Sequence, residues 1–208
     1  GEFTLIHTQG RIPAPRVVVA GLGKSDEFDI DAVRNLAAEL VRFCRRPGIK
    51  TVATIAHGAG IAGLPPPLCA RAIAEGAVLG NYRFEKYQKP SEDAAEIERI
   101  TIVEHNEATA EHMAAAAEHG VILGEATNFA RDLANEPANH LTPTDLAARA
   151  EAMAGASGLE CEILDREAMQ QKGMGALLSV AAGSDQPPKL IRLAYHGTEG
   201  EGYDLAFV

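Results

Sequence analysis

A single long helical pattern in the middle of the chain constrains the fold most. From Asn106 to about Leu133 the apolar positions Met113, Ala116, Ala117, Ile122, Leu123, Ala126, Phe129, Ala130 and Leu133 mark one helix face. A helix of ~28 residues spans ~42 Å at 1.5 Å per residue, more than one small domain needs. It is expected to bridge two domains. Charge divides the chain near the same place. Residues 1–104 carry 13 Lys/Arg and 13 Asp/Glu, whereas residues 105–208 carry 6 and 16 and hold the whole net charge of -10. An acidic second half repels phosphate backbones, so no nucleic-acid partner is expected.

Before the long helix, strand-like and helix-like runs alternate. Phe3 to His7 and Val17 to Ala20 are short and β-rich. Apolar residues at 30, 33, 36, 37, 40, 41 and 44 have helical spacing, stopped by Pro47-Gly48. Thr51 to Ala56 reads as a buried strand, Pro65-Pro66 open a second helix to about Leu79, and Ile97 to Val103 is a further strand. This alternation implies an α/β fold with a parallel or mixed sheet and helices on its faces. Tyr87 to Ala95 reads as a surface loop.

After the long helix, Thr142-Pro143-Thr144-Asp145 combines an N-cap, a proline at the first helical position and an acid at the third. Leu159, Cys161 and Ile163 alternate with Glu160 and Glu162 as in a half-exposed strand, and Asp165 caps a short helix ending at Gly173. The apolar runs Ala176–Ala182, Leu190–Tyr195 and Asp204–Val208 suit interior strands. A terminus is usually a frayed surface tail rather than a core strand, so the chain is expected to be a piece of a longer protein, with self-association or poor solubility caused by its exposed last strand.

Composition removes several classes. With 46% hydrophobic and 23% charged residues, the chain has enough apolar material for a packed core, and no apolar run approaches the ~20 residues of a membrane span. No signal peptide is visible, and no membrane partner is expected. Cys44, Cys69 and Cys161 are few, odd in number and without a CxxC pair, which fits a reducing cytoplasm and core packing better than disulfides or zinc.

Short motifs carry little chemistry. Gly58-Ala59-Gly60-Ile61-Ala62-Gly63 has the GxGxxG spacing of a dinucleotide turn, but Leu64-Pro65-Pro66-Pro67 follows where the Rossmann helix should already run. It reads as a flexible strand-to-helix loop, with phosphate or ribose binding on another α/β module as the alternative. Gly21-Leu22-Gly23-Lys24-Ser25 resembles the end of a Walker loop, yet Val18 stands where the first glycine is needed. His105, His112 and His119 share one helix stripe, but each seven-residue step climbs ~10.5 Å, too far for a shared metal ion. Asn139-His140 lies in a loop between helices, where turning the chain is its plain role. No catalytic, metal-binding or cofactor-binding residue is assigned.

Two longer stretches are more specific. Asn128-Phe129-Ala130-Arg131-Asp132-Leu133-Ala134-Asn135-Glu136-Pro137-Ala138-Asn139, with Leu141-Thr142-Pro143 and Leu146-Ala147, resembles the opening of the catalytic domain of cytosolic leucyl aminopeptidases, the M17 metallopeptidases. Gly173 to Ser184, then Pro187-Pro188-Lys189-Leu190-Ile191 and Tyr195, is similar to the family's next block in order and spacing. Arg16 to Lys24 resembles a strand and turn of the family's N-terminal domain, whose fold is similar to macro domains. The resemblance implies an incomplete macro-like α/β domain over 1–104, then over 105–208 a linking helix and the first, truncated part of the catalytic domain.

It also implies a peptidase that removes N-terminal residues, often leucine, from peptides. Two divalent ions (zinc, manganese or magnesium) would activate a bridging water and polarise the scissile carbonyl. A cytoplasmic homo-hexamer is implied for the whole protein. In the family the strand matching Asp204–Val208 runs into a Gly-Lys-Gly segment whose lysine binds metal, and the other ligands come later. Asp132 and Glu136 do not match those ligands. This chain is therefore expected to bind no metal and to be inactive alone. The alternative is a non-enzymatic macro-like module that binds ADP-ribose or a nucleotide at Gly58–Gly63.

Overall fold

A computed structural model describes residues 2–60, 63–89, 96–197, 202 and 205–207. Residue contacts divide the chain into two units, Gly1–Asp132 and Leu133–Val208.

In the first unit, β1 (Phe3–His7) and β2 (Arg16–Ala20) form an antiparallel pair with Leu5 opposite Val18. Helix α1 (Ile30–Arg45) starts where the carboxylate of Asp29 accepts the backbone N–H of Ala32 at 2.8 Å. The chain continues through β3 (Thr51–Ile55), α2 (Pro66–Asn81) and β4 (Arg99–Val103). A strand, a crossover helix and a second strand can pair in parallel, and β3 and β4 do so with Ala53 opposite Thr101. Along both strands, half-buried residues alternate with exposed ones, so one face turns to the interior.

The core is built from small side chains. Val33 and Ala37 of α1, Cys69, Ala70, Ala72 and Ile73 of α2, and Met113 of α3 (Glu107–Asn135) pack together, with Ile102 of β4 against them. Glycines bring the helices close: a Cβ on Gly120 of α3 would overlap the carbonyl of Arg71, and one on Gly124 would lie 2.8 Å from Val78. These approaches place α3 up to Asp132 with the first unit. The charge step near residue 105 coincides with the approach to α3, whereas the contact division falls near the helix's other end.

The second unit contains α4 (Pro143–Ser157), β5 (Glu160–Leu164), α5 (Arg166–Gln171), α6 (Gly175–Val180) and β6 (Leu190–Ala194). β5 and β6 pair antiparallel with Glu162 opposite Arg192. Ala147, Ala150 and Ala154 form the buried stripe of α4.

Three expectations are corrected. Among the described residues the strands form three separate pairs, not one sheet, and only β3–β4 is parallel. The run Ala176–Ala182 is not a strand: it lies in α6 and a 3₁₀ turn, Ala181–Gly183. Alanine and leucine favour helix, the run has one β-branched residue, and Val180 is 87% exposed. Of the expected strand Asp204–Val208, the two end residues lie outside the described residues, and Leu205–Phe207 form no strand.

Candidate functional site

The glycine-rich loop follows β3, at the C-terminal end of the parallel pair, where α/β proteins often bind ligands. Gly58 has φ +93°, and a Cβ there would lie 2.7 Å from the ring of Phe28. Gly60 and Gly63 also have positive φ, while Ile61 and Ala62 lie outside the described residues. The loop leads into Pro65, Pro66, Pro67 and Leu68 at the start of α2. Three of these four positions lack an N–H, so this helix end offers few of the donors that cradle a phosphate. Burial pushes the His57 imidazole towards its neutral form, partly offset by the carbonyls of Val33 and Ile55.

The other motifs are placed as plainly. Lys24 pairs with Glu27 at 3.0 Å on the surface, and α1 does not begin until Ile30. His105, His112 and His119 are all exposed. Asn139 and His140 lie in a turn in which the His140 N–H donates to the carbonyl of Pro137 at 2.8 Å. Cys44 and Cys69 are buried, which raises their thiol pKa values and leaves them poorly nucleophilic.

The acids beside the first family-like block have structural partners. Asp132 accepts the hydroxyl of Tyr82 at 2.8 Å. Glu136, with its side chain 2% exposed, is held by Arg149 at 2.7 Å. Among the described residues no three His, Cys, Asp or Glu side chains come together as metal ligands, so these residues do not fit a dinuclear centre. An apolar cleft of about 620 Å³ lies in the first unit, lined by Ile73, Ala77, Ile100, Ile102, Met113 and Ala117 among others. Sequence patterns gave no sign of it, because its walls come from four separated elements, α1, α2, β4 and α3.

Residues 1–91 match the N-terminal domain of the cytosol aminopeptidase family, and residues 128–208 match that family's catalytic domain. The chain belongs to the cytosol aminopeptidase family. A probable cytosol aminopeptidase of Alkaliphilus metalliredigens is 38% identical over all of this chain and 42% of its own length. That of Solibacter usitatus is 40% identical over 97% of this chain and 40% of its own length. Among solved structures, the bottromycin maturation enzyme BotP matches 94% of this chain and 40% of its own, with a TM-score of 0.80 at 31% identity. A tomato leucine aminopeptidase variant matches 93% and 37%, with a TM-score of 0.76 at 27% identity. The chain thus spans about two fifths of the length of these cytosol aminopeptidases. Among the described residues no helix is long and apolar enough to cross a membrane.

Proposed function

We propose that the whole protein is a cytoplasmic metalloaminopeptidase that releases N-terminal residues, often leucine, from peptides. Carrying this reading is the alignment of the full chain with cytosol aminopeptidases at 38–40% identity, with the family's two domains matched in order. BotP, which shares the fold at about 30% identity, has been determined in complex with Mn. This supports a divalent-metal enzyme; two Mn²⁺ or Zn²⁺ ions as cofactors and a homo-hexamer as the assembly are parts of the proposal.

Since the described residues form no dinuclear ligand set, hydrolysis is not assigned to this chain acting alone. Its part is the N-terminal domain, the helix that leaves it and the opening elements of the catalytic domain; the domain limits of 1–104 and 105–208 belong to this proposal. A chimera tests it. Residues 1–208 joined to the remaining C-terminal part of the Alkaliphilus relative should hydrolyse leucine p-nitroanilide when supplied with Mn²⁺. A folded chimera without that activity would contradict the reading.

A further inference from the structure

The C-terminal end of α2 is capped by side chains from other helices. A helix leaves its last four carbonyls without intrahelical partners, here those of residues 78–81. α2 has no basic residue in its last turn, and its C-cap, Tyr82, is extended. The carbonyl of Val78 accepts the Asn128 amide at 3.2 Å, and that of Leu79 accepts the Arg131 guanidinium at 3.4 Å. Arg45 of α1 donates to the carbonyl of Asn81.

The same residues brace one another. Arg131 donates to Oδ1 of Asn128 at 3.0 Å, which leaves the amide nitrogen to serve Val78. The Arg131 guanidinium carbon lies 3.9 Å from the centre of the Tyr82 ring, whose hydroxyl donates to Asp132 at 2.8 Å. Two cationic groups thus meet the negative end of the α2 dipole. Asn128, Arg131 and Asp132 fall in the stretch that matches the family's catalytic domain, whereas Val78, Leu79 and Tyr82 fall in the stretch that matches its N-terminal domain.

We propose that Asn128, Arg131 and Asp132 are positioning residues: they latch the last turns of α3 onto the end of α2 within the first unit. Three polar residues of the family-like block thereby act in holding α3 to α2.

Hydrogen exchange on the 208-residue chain separates this from ordinary helix stability. Alanine is a better helix former than arginine, so without a latch Arg131→Ala would leave amides 129–135 equally or better protected. The latch predicts the opposite sign: exchange of those amides about tenfold faster in Arg131→Ala, with the amides of α1 unchanged. Arg131→Lys, which keeps the charge but not the planar stack on Tyr82, should fall between. Tyr82→Phe, which removes only the bridge to Asp132, should give a smaller increase in the same amides. Unchanged or slower exchange at 129–135 in Arg131→Ala, or an equal acceleration in α1, would overturn the proposal. If Arg131→Ala proves unfolded, Tyr82→Phe decides: no local increase refutes the latch.

Discussion

Gly80 of α2 sits directly against the backbone of Ala38 in α1: a Cβ at Gly80 would lie 2.5 Å from the Ala38 carbonyl oxygen and 2.6 Å from its Cα. Backbone cannot yield as a flexible side-chain tip can, so the helices would have to separate. Gly80→Ala should therefore destabilise the chain by about 1–3 kcal/mol, although alanine in an open helix position gains up to about 1 kcal/mol over glycine. Gly155 in α4 is the control, because nothing lies within 4 Å of a Cβ there. Gly155→Ala should stabilise by about 0.5–1 kcal/mol. Urea unfolding of both variants checks the opposite signs.

Glu136 and Arg149 form an ion pair whose acidic member is almost wholly enclosed, with 2% of its side chain exposed against 30% for the arginine. Removing Arg149 would leave a carboxylate with little access to water. Arg149→Ala should cost about 2 kcal/mol or more, measured by urea unfolding. Lys24→Ala, which breaks a pair exposed by 74% and 68%, should cost less than about 0.5 kcal/mol. Equal costs would show that the enclosure of Glu136 does not matter.

Elements in both units whose signals are local were legible. The spacing of Val33, Leu36, Ala37, Val41 and Cys44 defines α1, and those five residues are buried. The capping box at Thr142 and Asp145 forms as its residue types dictate. The error at Ala176–Ala182 has a physical origin, since a short apolar run lacks the length to distinguish strand from helix. Strand partners were not legible: pairing joins residues as distant as Thr51 and Arg99 and leaves no local mark. The roles of Asp132 and Glu136 were hidden for the same reason, because Tyr82 and Arg149 reach them only through the fold.

The capping box carries a pH dependence. Side-chain and backbone hydrogen bonds from Thr142 hold the Asp145 carboxyl below its ordinary pKa. A carboxylate with a lowered folded pKa contributes stability that is present above its unfolded value, about 3.9, and lost as pH falls through the folded value. Asp145→Asn should therefore narrow the difference in unfolding midpoint between pH 6 and pH 3. An unchanged difference would mean that the box does not hold the charged form.

His57 acts in a different window. Burial lowers its pKa, so the unfolded chain takes up the proton first as pH falls below about 6.5. The contribution of His57 is complete above that value and declines below it, towards the lower folded pKa. His57→Gln should lose less stability than the parent chain between pH 7.5 and pH 5, read from urea midpoints. An equal or larger loss in the variant would refute this assignment.

We propose that these 208 residues, which span about two fifths of the length of their cytosol aminopeptidase relatives, do not hydrolyse peptides alone. The deciding measurement is hydrolysis of leucine p-nitroanilide by purified residues 1–208, with and without Mn²⁺. No turnover above buffer is expected under either condition. Turnover that needs Mn²⁺ and disappears on chelation would contradict it, and would mean that these 208 residues assemble a metal site.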